Sequence, residues 1–127
     1  FECQGLKMLF PGDAQIENWE YALNEPTLLK RLRGVQVYKV GHHGSTNATP
    51  KSLWNYWFPP TGKPKAIKER MATFMSTKEG KHGSAAAGTE VPRTKLVSAL
   101  KKWTRLQTTQ SLGDARSVEE EYVVSGK

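Results

Sequence analysis

Three side chains of this sequence could bind a metal ion, and all of them follow short apolar segments. Asp13 comes after a segment at residues 8–12 that begins apolar and ends in glycine. His42 and His43 come after a second such segment, at residues 35–41. A carboxylate and neutral imidazoles are borderline-hard ligands, which suit Zn²⁺, Mn²⁺ or Fe. A catalytic ion of this kind keeps a position open for water and lowers the pKa of that water toward neutrality. These residues therefore predict a metal-dependent reaction in which hydroxide is the nucleophile.

Each of these features has an ordinary explanation when it is considered alone. A Gly-Asp pair before a helix commonly forms a turn or caps the helix. The histidine pair is more informative, because its flanking glycines permit close approach of the backbone and leave little core in which to bury an imidazole. In an α/β protein, functional groups collect where strands end, and neighbouring strands bring such ends together. Asp13 and His42 are therefore expected to meet at one edge of a sheet.

The elements that would hold these residues alternate along the chain. Apolar, β-branched and aromatic runs predict strands, whereas apolar residues at helical spacing, bounded by proline or glycine, predict helices. The predicted strands cover residues 6–10, 35–40, 71–76, 105–109 and 120–124, and the predicted helices cover residues 15–23, 27–33, 49–58 and 92–103. The order β-α-β-α-β-α-β-β predicts an α/β fold, with one sheet and helices against it.

Length and composition are those of an ordinary soluble domain. The chain has 127 residues, of which 37% are hydrophobic and 24% charged. No apolar stretch approaches the ~20 residues that a membrane helix requires, so no membrane partner is expected. Cys3 is the single cysteine, which excludes an internal disulfide or a cysteine zinc cluster and fits a reducing, cytoplasmic location. We expect its thiol to be buried and structural. The chain starts at Phe1, almost directly before strand-like residues, which suggests a piece of a longer protein.

The chain is basic, with 19 lysine and arginine residues against 12 acidic ones and a formal net charge of +7. This charge indicates either a solvated basic surface or attraction to a polyanion such as nucleic acid. The basic residues are spread through several segments, which favours the first interpretation. A nucleic-acid-binding module would use the cluster Lys63, Lys65, Lys68 and Arg70. The aromatic residues at positions 54, 57 and 58 fall at helical spacing, so they are predicted to be core rather than a platform for stacked bases.

Four segments together resemble a known family of enzymes. They are LFPGDAQIENW, YKVGHHGSTNATPKSL, MATFMST and VPRTKLVSAL. These segments are similar to the C-terminal half of metallo-β-lactamase-fold hydrolases, in the branch that includes the soluble domain of bacterial competence-channel proteins. The resemblance covers residues 6–110 and implies an αββα sandwich with one or two metal ions, usually zinc, at the sheet edge. Residues 1–127 are accordingly interpreted as a single partial domain, the C-terminal half of this fold.

The resemblance also implies roles for individual residues. Asp13 matches an aspartate that bridges the two metals, and His42 matches a histidine that ligates the second metal. His43 would then support these ligands or face the substrate as a catalytic residue. Thr46 and Asn47 would help to shape the pocket.

The sequence departs from the family pattern in two places. The His-x-His-x-Asp-His ligand motif, which belongs to the N-terminal half, is absent from this chain, whose histidines are His42, His43 and His82. A further histidine, which relatives carry in a His-Pro pair, is replaced here by Val91 before Pro92. His82 is interpreted as a solvent-exposed bystander rather than as a substitute. Because a catalytic zinc needs at least three protein ligands, the isolated chain is expected to bind zinc weakly and to hydrolyse little.

The predicted function is therefore that of a fragment of a zinc-dependent hydrolase, which attacks an ester, phosphodiester or amide with metal-bound hydroxide. Its expected partners are the missing N-terminal half of the fold and a phosphate-containing substrate, which the positive charge favours. A sheet edge or face left open by the missing half would also favour a homo-oligomer. The alternatives are a basic nucleic-acid-binding module and a non-catalytic scaffold that kept the fold and lost the chemistry.

Overall fold

The chain folds as a mixed α/β structure around one five-stranded sheet. The computed structural model describes residues 1–78, 80–84 and 86–112, together with positions 117, 119 and 121. The strands are β1 (Glu2–Cys3), β2 (Leu6–Leu9), β3 (Val37–Lys39), β4 (Ala72–Met75) and β5 (Arg105–Thr108). The α-helices are α1 (Ile16–Asn24), α2 (Pro26–Leu32), α3 (Lys51–Trp57) and α4 (Thr94–Trp103), and short 3₁₀ helices span His42–Gly44, Ile67–Glu69 and Thr109–Ser111. None of the helices in the described part of the chain is long and apolar enough to cross a membrane.

The five strands lie side by side in the order in which they occur in the sequence. β1 pairs with β2 in antiparallel fashion, through a turn in which Gln4 and Gly5 have positive φ angles. The pairings of β2 with β3, β3 with β4 and β4 with β5 are parallel. The strands β2 to β5 therefore end together at one end of the sheet, the carboxyl end, and begin together at the opposite, amino end.

The prediction of an α/β fold with helices against one sheet is confirmed at this level. The element order differs at the start of the chain, where β1 precedes β2, because a two-residue strand is too short to produce a detectable pattern. Cys3, which we expected to be buried, is exposed because β1 is the edge strand. The last predicted strand, at residues 120–124, lies outside the described residues.

The α-helices pack against one face of the sheet. Because side chains alternate between the faces of a strand, the register places Leu9, Tyr38, Thr73 and Leu106 in one row on the same face. Tyr38 belongs to the main core cluster, in which α4 contributes Leu96 and Leu100, and Leu9 and Leu106 pack against it. A second cluster, Trp19, Leu32 and Leu53, joins the helices α1, α2 and α3.

The opposite face of the sheet, called here the second face, carries the alternate rows. Met8, Val37 and Ala72 lie in one of these rows, and Phe74 lies in the next row beside Lys39. None of the four apolar residues belongs to either core cluster formed by the described residues. Because parallel crossovers are right-handed, strands connected in sequential order receive all their connecting helices on one face. The described helices therefore leave the second face without a helical layer, although Val37 and Ala72 are buried there.

Candidate metal centre

Two loops at the carboxyl end of the sheet contact each other directly. They are the loop that follows β2, with Asp13, and the loop that follows β3, with the histidine pair. A Cβ atom at Gly41 would lie only 2.9 Å from the carbonyl oxygen of Gly12 and 3.1 Å from Cβ of Ala48. Only glycine permits this approach of the two backbones. The close contact therefore brings Asp13 and His42 to one place although they are far apart in the sequence.

Helix α1 helps to keep the loop after β2 and the loop after β3 close to each other. The backbone N–H of Gln15 donates to Oδ1 of Asn18 at 2.9 Å, which caps the start of the helix just after Asp13. From the next turn, the buried Trp19 donates its indole N–H to the carbonyl oxygen of Ala48 at 2.9 Å. The segment that carries Asp13 is thereby attached to the segment that follows the histidines.

Asp13, His42 and His43 line one shallow pocket of about 220 Å³. Its other lining residues come from the same two loops and from the ends of β3 and β4: Gly12, Lys39, Val40, Gly41 and Ser76. The side chains of Asp13 and His42 are exposed, and that of His43 is half-buried. The structure thus brings together the three site residues that the sequence singles out. That they bind a metal ion remains a prediction.

The backbone of the histidine loop is unusual. His42 and His43 have φ angles of 40° and 54°, in the left-handed region that side chains other than glycine rarely adopt. The loop is closed by hydrogen bonds from the N–H of Gly44 to Gly41 and from the N–H of Ser45 to His42, each 3.0 Å long. Strained backbone of this kind persists only where surrounding contacts enforce it, and it clusters at functional sites.

Gly44 provides the enforcing contact. It has a φ angle of 88°, and a Cβ atom there would lie 2.8 Å from Sδ of Met75 and 2.8 Å from Cβ of Pro92. The backbone N–H of Arg93 donates to its carbonyl oxygen at 3.1 Å. The Val91-Pro92 segment is therefore packed against the histidine loop.

His43 has a defined orientation and a defined tautomer. Its Nδ1 lies 3.1 Å from the carbonyl oxygen of Ser76. A carbonyl oxygen only accepts hydrogen bonds, so Nδ1 must carry the hydrogen, and Nε2 of the neutral ring keeps its lone pair. A histidine oriented by a backbone carbonyl in this way is suited to accept a proton or to coordinate a metal at Nε2.

His82 is not the solvent-exposed bystander that the sequence predicts. Its ring is half-buried and stacks on His43, with 3.9 Å between ring centroids and an angle of 5° between ring planes. The N–H of Val91 donates to the carbonyl oxygen of His82 at 3.1 Å, so the two ends of a long loop pair with each other. The sequence carried no local signal for this return, because residues 80–88 are mostly glycine, alanine and serine without periodicity.

Two further residues line the pocket that the sequence did not single out: Lys39 and Ser76. Lys39 lies in a row of the second face, and burial lowers the pKa of its ammonium group. Its Nζ donates to the carbonyl oxygen of Val40 at 3.3 Å. A cation here attracts anionic groups and opposes the binding of a metal ion.

Thr46 and Asn47, which we expected to shape the pocket, do not line it. Asn47 is exposed, and Thr46 lines a separate depression.

The three predicted site residues do not form a closed ligand set. The rings of His42 and His43 have centroids 6.2 Å apart and planes inclined by 60°, so they meet edge to face. Within the residues that the structure describes, no group of three His, Cys, Asp or Glu side chains is arranged to hold a metal ion.

No protein-family model, curated protein or solved structure matches the chain. The case for a metal centre therefore rests on the pocket and on the sequence motifs.

Proposed function

We propose that this chain is the C-terminal half of a metal-dependent hydrolase that acts on an ester, phosphodiester or amide. The observation that supports the proposal is the pocket shared by one carboxylate and two imidazoles at the carboxyl end of the sheet. This is the position in α/β proteins where ligands and substrates bind. The donor types suit zinc, with Asp13 and His42 as the residues that would hold it. A bound zinc ion would acidify a water molecule, so that hydroxide is available near neutral pH.

The other side chains of the pocket have roles that follow from their chemistry. His43, oriented by its hydrogen bond to Ser76, would accept a proton at Nε2. Lys39 would attract an anionic group of the substrate, and together with the net charge of +7 this favours a phosphodiester. The same ammonium group opposes metal binding, so further anionic ligands are needed to offset it.

The remaining ligands would come from an N-terminal half with a His-x-His-x-Asp-His motif. On the second face, the half-buried Met8 and Phe74 are the apolar residues left for a second sheet layer to pack against, since Val37 and Ala72 are already buried. Lys39 lies in a row of that face and also lines the pocket. A layer on the second face would therefore lie next to the open side of the pocket. A second copy of this chain on the same surface is the competing arrangement, and it would give a homo-oligomer without the missing ligands.

Zinc affinity tests the proposal. In the full-length gene product, Asp13→Ala and His42→Ala should each weaken zinc binding at least tenfold, as measured by isothermal titration calorimetry and by metal content after dialysis. Glu20→Ala is the matched control, because Glu20 is an exposed carboxylate of α1 outside the pocket lining. Unchanged zinc affinity in both pocket variants would exclude the proposed centre. The absence of the histidine-rich motif upstream in the gene would favour the non-catalytic scaffold.

A further inference from the structure

A second pocket, called here the aromatic groove, lies at the amino end of the sheet. It has a volume of about 420 Å³. Its walls include Val35 and Gln36 just before β3, Met71 just before β4 and Trp103 just before β5. Along β3, the lining residues Gln36 of the groove and Lys39 of the candidate metal centre are separated by roughly 10 Å, at the usual rise of a strand. The two sites therefore share strands but no lining residue.

Three aromatic rings form one wall of the groove: Trp57, Phe58 and Trp103. All three side chains are half-buried. Phe58 contacts Trp103 with 5.5 Å between ring centroids, and the indole N–H of Trp57 donates to the carbonyl oxygen of Leu32 at 3.1 Å. The prediction that the aromatic residues of this segment belong to the core holds for Trp54 and Trp57, which both pack against the main cluster. The ring of Trp57 also lines the groove, so this residue contributes to both the core and the groove.

The other wall is a loop with three cations. Lys63, Lys65 and Arg70 line the groove together with a single carboxylate, that of Glu69. The loop is tied down, because Nε of Arg70 donates to the carbonyl oxygen of Lys65 at 2.8 Å and the N–H of Gly62 donates to Pro59 at 2.8 Å. These bonds fix the loop backbone and Arg70 beside the aromatic wall, and the exposed Lys63 and Lys65 extend from the same loop.

We propose that the aromatic groove binds one nucleotide unit of a single-stranded nucleic acid. The flat face of a base would pack against the aromatic wall, and its phosphate would lie among the three cations. Aromatic rings beside a positively charged groove are the combination that single-strand binding uses. The volume is large enough for a base with its sugar and phosphate. A free nucleotide has the same chemistry and is the other possible source of the ligand.

The test compares two pairs of charge reversals in the full chain. Lys63→Glu with Lys65→Glu alters the groove. Lys51→Glu with Lys95→Glu is the matched control, because both lysines are exposed and lie at the far ends of α3 and α4 from the groove. The probe is fluorescein-labelled oligothymidylate of twelve residues, which has little structure of its own, and the readout is fluorescence anisotropy between 50 and 200 mM salt.

The groove pair should weaken oligothymidylate binding at least tenfold more than the control pair. It should also reduce the slope of log affinity against log salt by at least roughly 1, because each phosphate contact with a single strand contributes about 0.7. Equal effects of the two pairs, or no binding by the unmodified chain at 50 mM salt, would overturn the proposal. If thymidine monophosphate displaces the labelled oligothymidylate at a concentration similar to that of the unlabelled oligomer, the ligand of the groove is a free nucleotide. If it displaces the oligomer only at much higher concentration, the ligand is a single strand.

A second comparison tests the aromatic wall. Trp103→Leu should weaken binding roughly tenfold without changing the salt slope, because stacking on an aromatic ring is lost while the charges remain. Trp54→Leu is the control, since Trp54 contacts Phe58 in the same aromatic row but does not line the groove. Thermal melting by circular dichroism checks that both variants fold. Equal binding by the two variants would show that no base packs against the aromatic wall, which would overturn that part of the proposal. Because zinc affinity depends on other residues, failure here would leave the proposed hydrolase untouched.

Discussion

The two ends of the parallel sheet are built in different ways. At the carboxyl end, the candidate metal centre owes its shape to the backbone, because Gly41 packs on Gly12 and Gly44 packs on Pro92. At the amino end, the aromatic groove is assembled from residues of four separate segments, and one of its rings, that of Trp57, also packs against the core. A site that is shaped by glycines leaves a recognisable motif in the sequence. A site that is shaped by distant side chains does not.

The variant Gly44→Ala should cause the largest loss of stability. A Cβ atom there would lie 2.8 Å from both Sδ of Met75 and Cβ of Pro92, at a φ angle of 88°. We expect the free energy of unfolding to fall by roughly 3 kcal/mol, because overpacking adds to the cost of a left-handed backbone. Urea denaturation followed by circular dichroism measures this change.

Gly34→Ala is the matched control at the amino end of the sheet. Gly34 also has a positive φ angle, 73°, but a Cβ atom there would have no heavy atom within 4 Å beyond its chain neighbours. Its replacement should cost only about 1 kcal/mol, which is the backbone term alone. Equal losses in the two variants would contradict the view that close contact shapes the carboxyl end.

Tyr38→Phe tests a residue that connects the two ends. The Tyr38 ring lies 5.0 Å from the ring of Trp57 in the groove wall, and its hydroxyl lies 2.8 Å from Oγ1 of Thr49, beyond the histidine loop. Loss of this buried hydrogen bond should lower the free energy of unfolding by about 1 to 2 kcal/mol at neutral pH. Urea denaturation again provides the measurement.

The same variant has a distinct pH signature. Burial raises the pKa of Tyr38 from 10.0 to about 12, so the folded state favours the neutral phenol. This stabilisation is fully present below pH 10 and is lost as the pH rises toward 12, to the extent of roughly 2 kcal/mol. The stability difference between the unmodified chain and Tyr38→Phe should therefore shrink over that window. A difference that stays constant from pH 9 to 12 would show that the phenol is not buried.

Lys39→Gln should have the smallest effect, and it bears on the candidate metal centre alone. Removal of an ammonium group from the pocket should raise zinc affinity roughly threefold, because the cation no longer repels the ion. Calorimetry with zinc measures the change, and Lys51→Gln removes an exposed charge elsewhere as a control. An unchanged affinity in Lys39→Gln would mean that zinc, if it binds, does not occupy this pocket.

The meeting of Asp13 with His42 and His43 could be predicted from the sequence because each loop begins at the end of an apolar strand and contains glycine. Strand adjacency then suffices to bring the loops together. The position of His82 could not be predicted, because it depends on how a loop without periodicity returns to pair with Val91. Lys39 was missed for a different reason. It is the last residue of a strand whose other residues are apolar, and nothing in the neighbouring sequence indicates that its side chain lines the pocket.

The helices and the strands β2 to β5 were predictable from the pattern of apolar residues, and the groove was not. The spacing of Trp57 correctly indicates a residue of the helix that packs on the sheet. That spacing gives no information about Trp103, which is the last residue of α4 and lines the same groove. The basic cluster at Lys63, Lys65, Lys68 and Arg70 was visible in the sequence, but its position beside aromatic rings required the fold.

The sequential strand order has a consequence for biosynthesis. Each of the strands β3, β4 and β5 pairs with the strand that leaves the ribosome just before it. None of the described parallel strands must wait for a distant partner, so this part of the sheet can grow by one strand-and-crossover unit at a time during translation. A nascent chain that has emerged as far as β4 already contains both loops of the candidate metal centre.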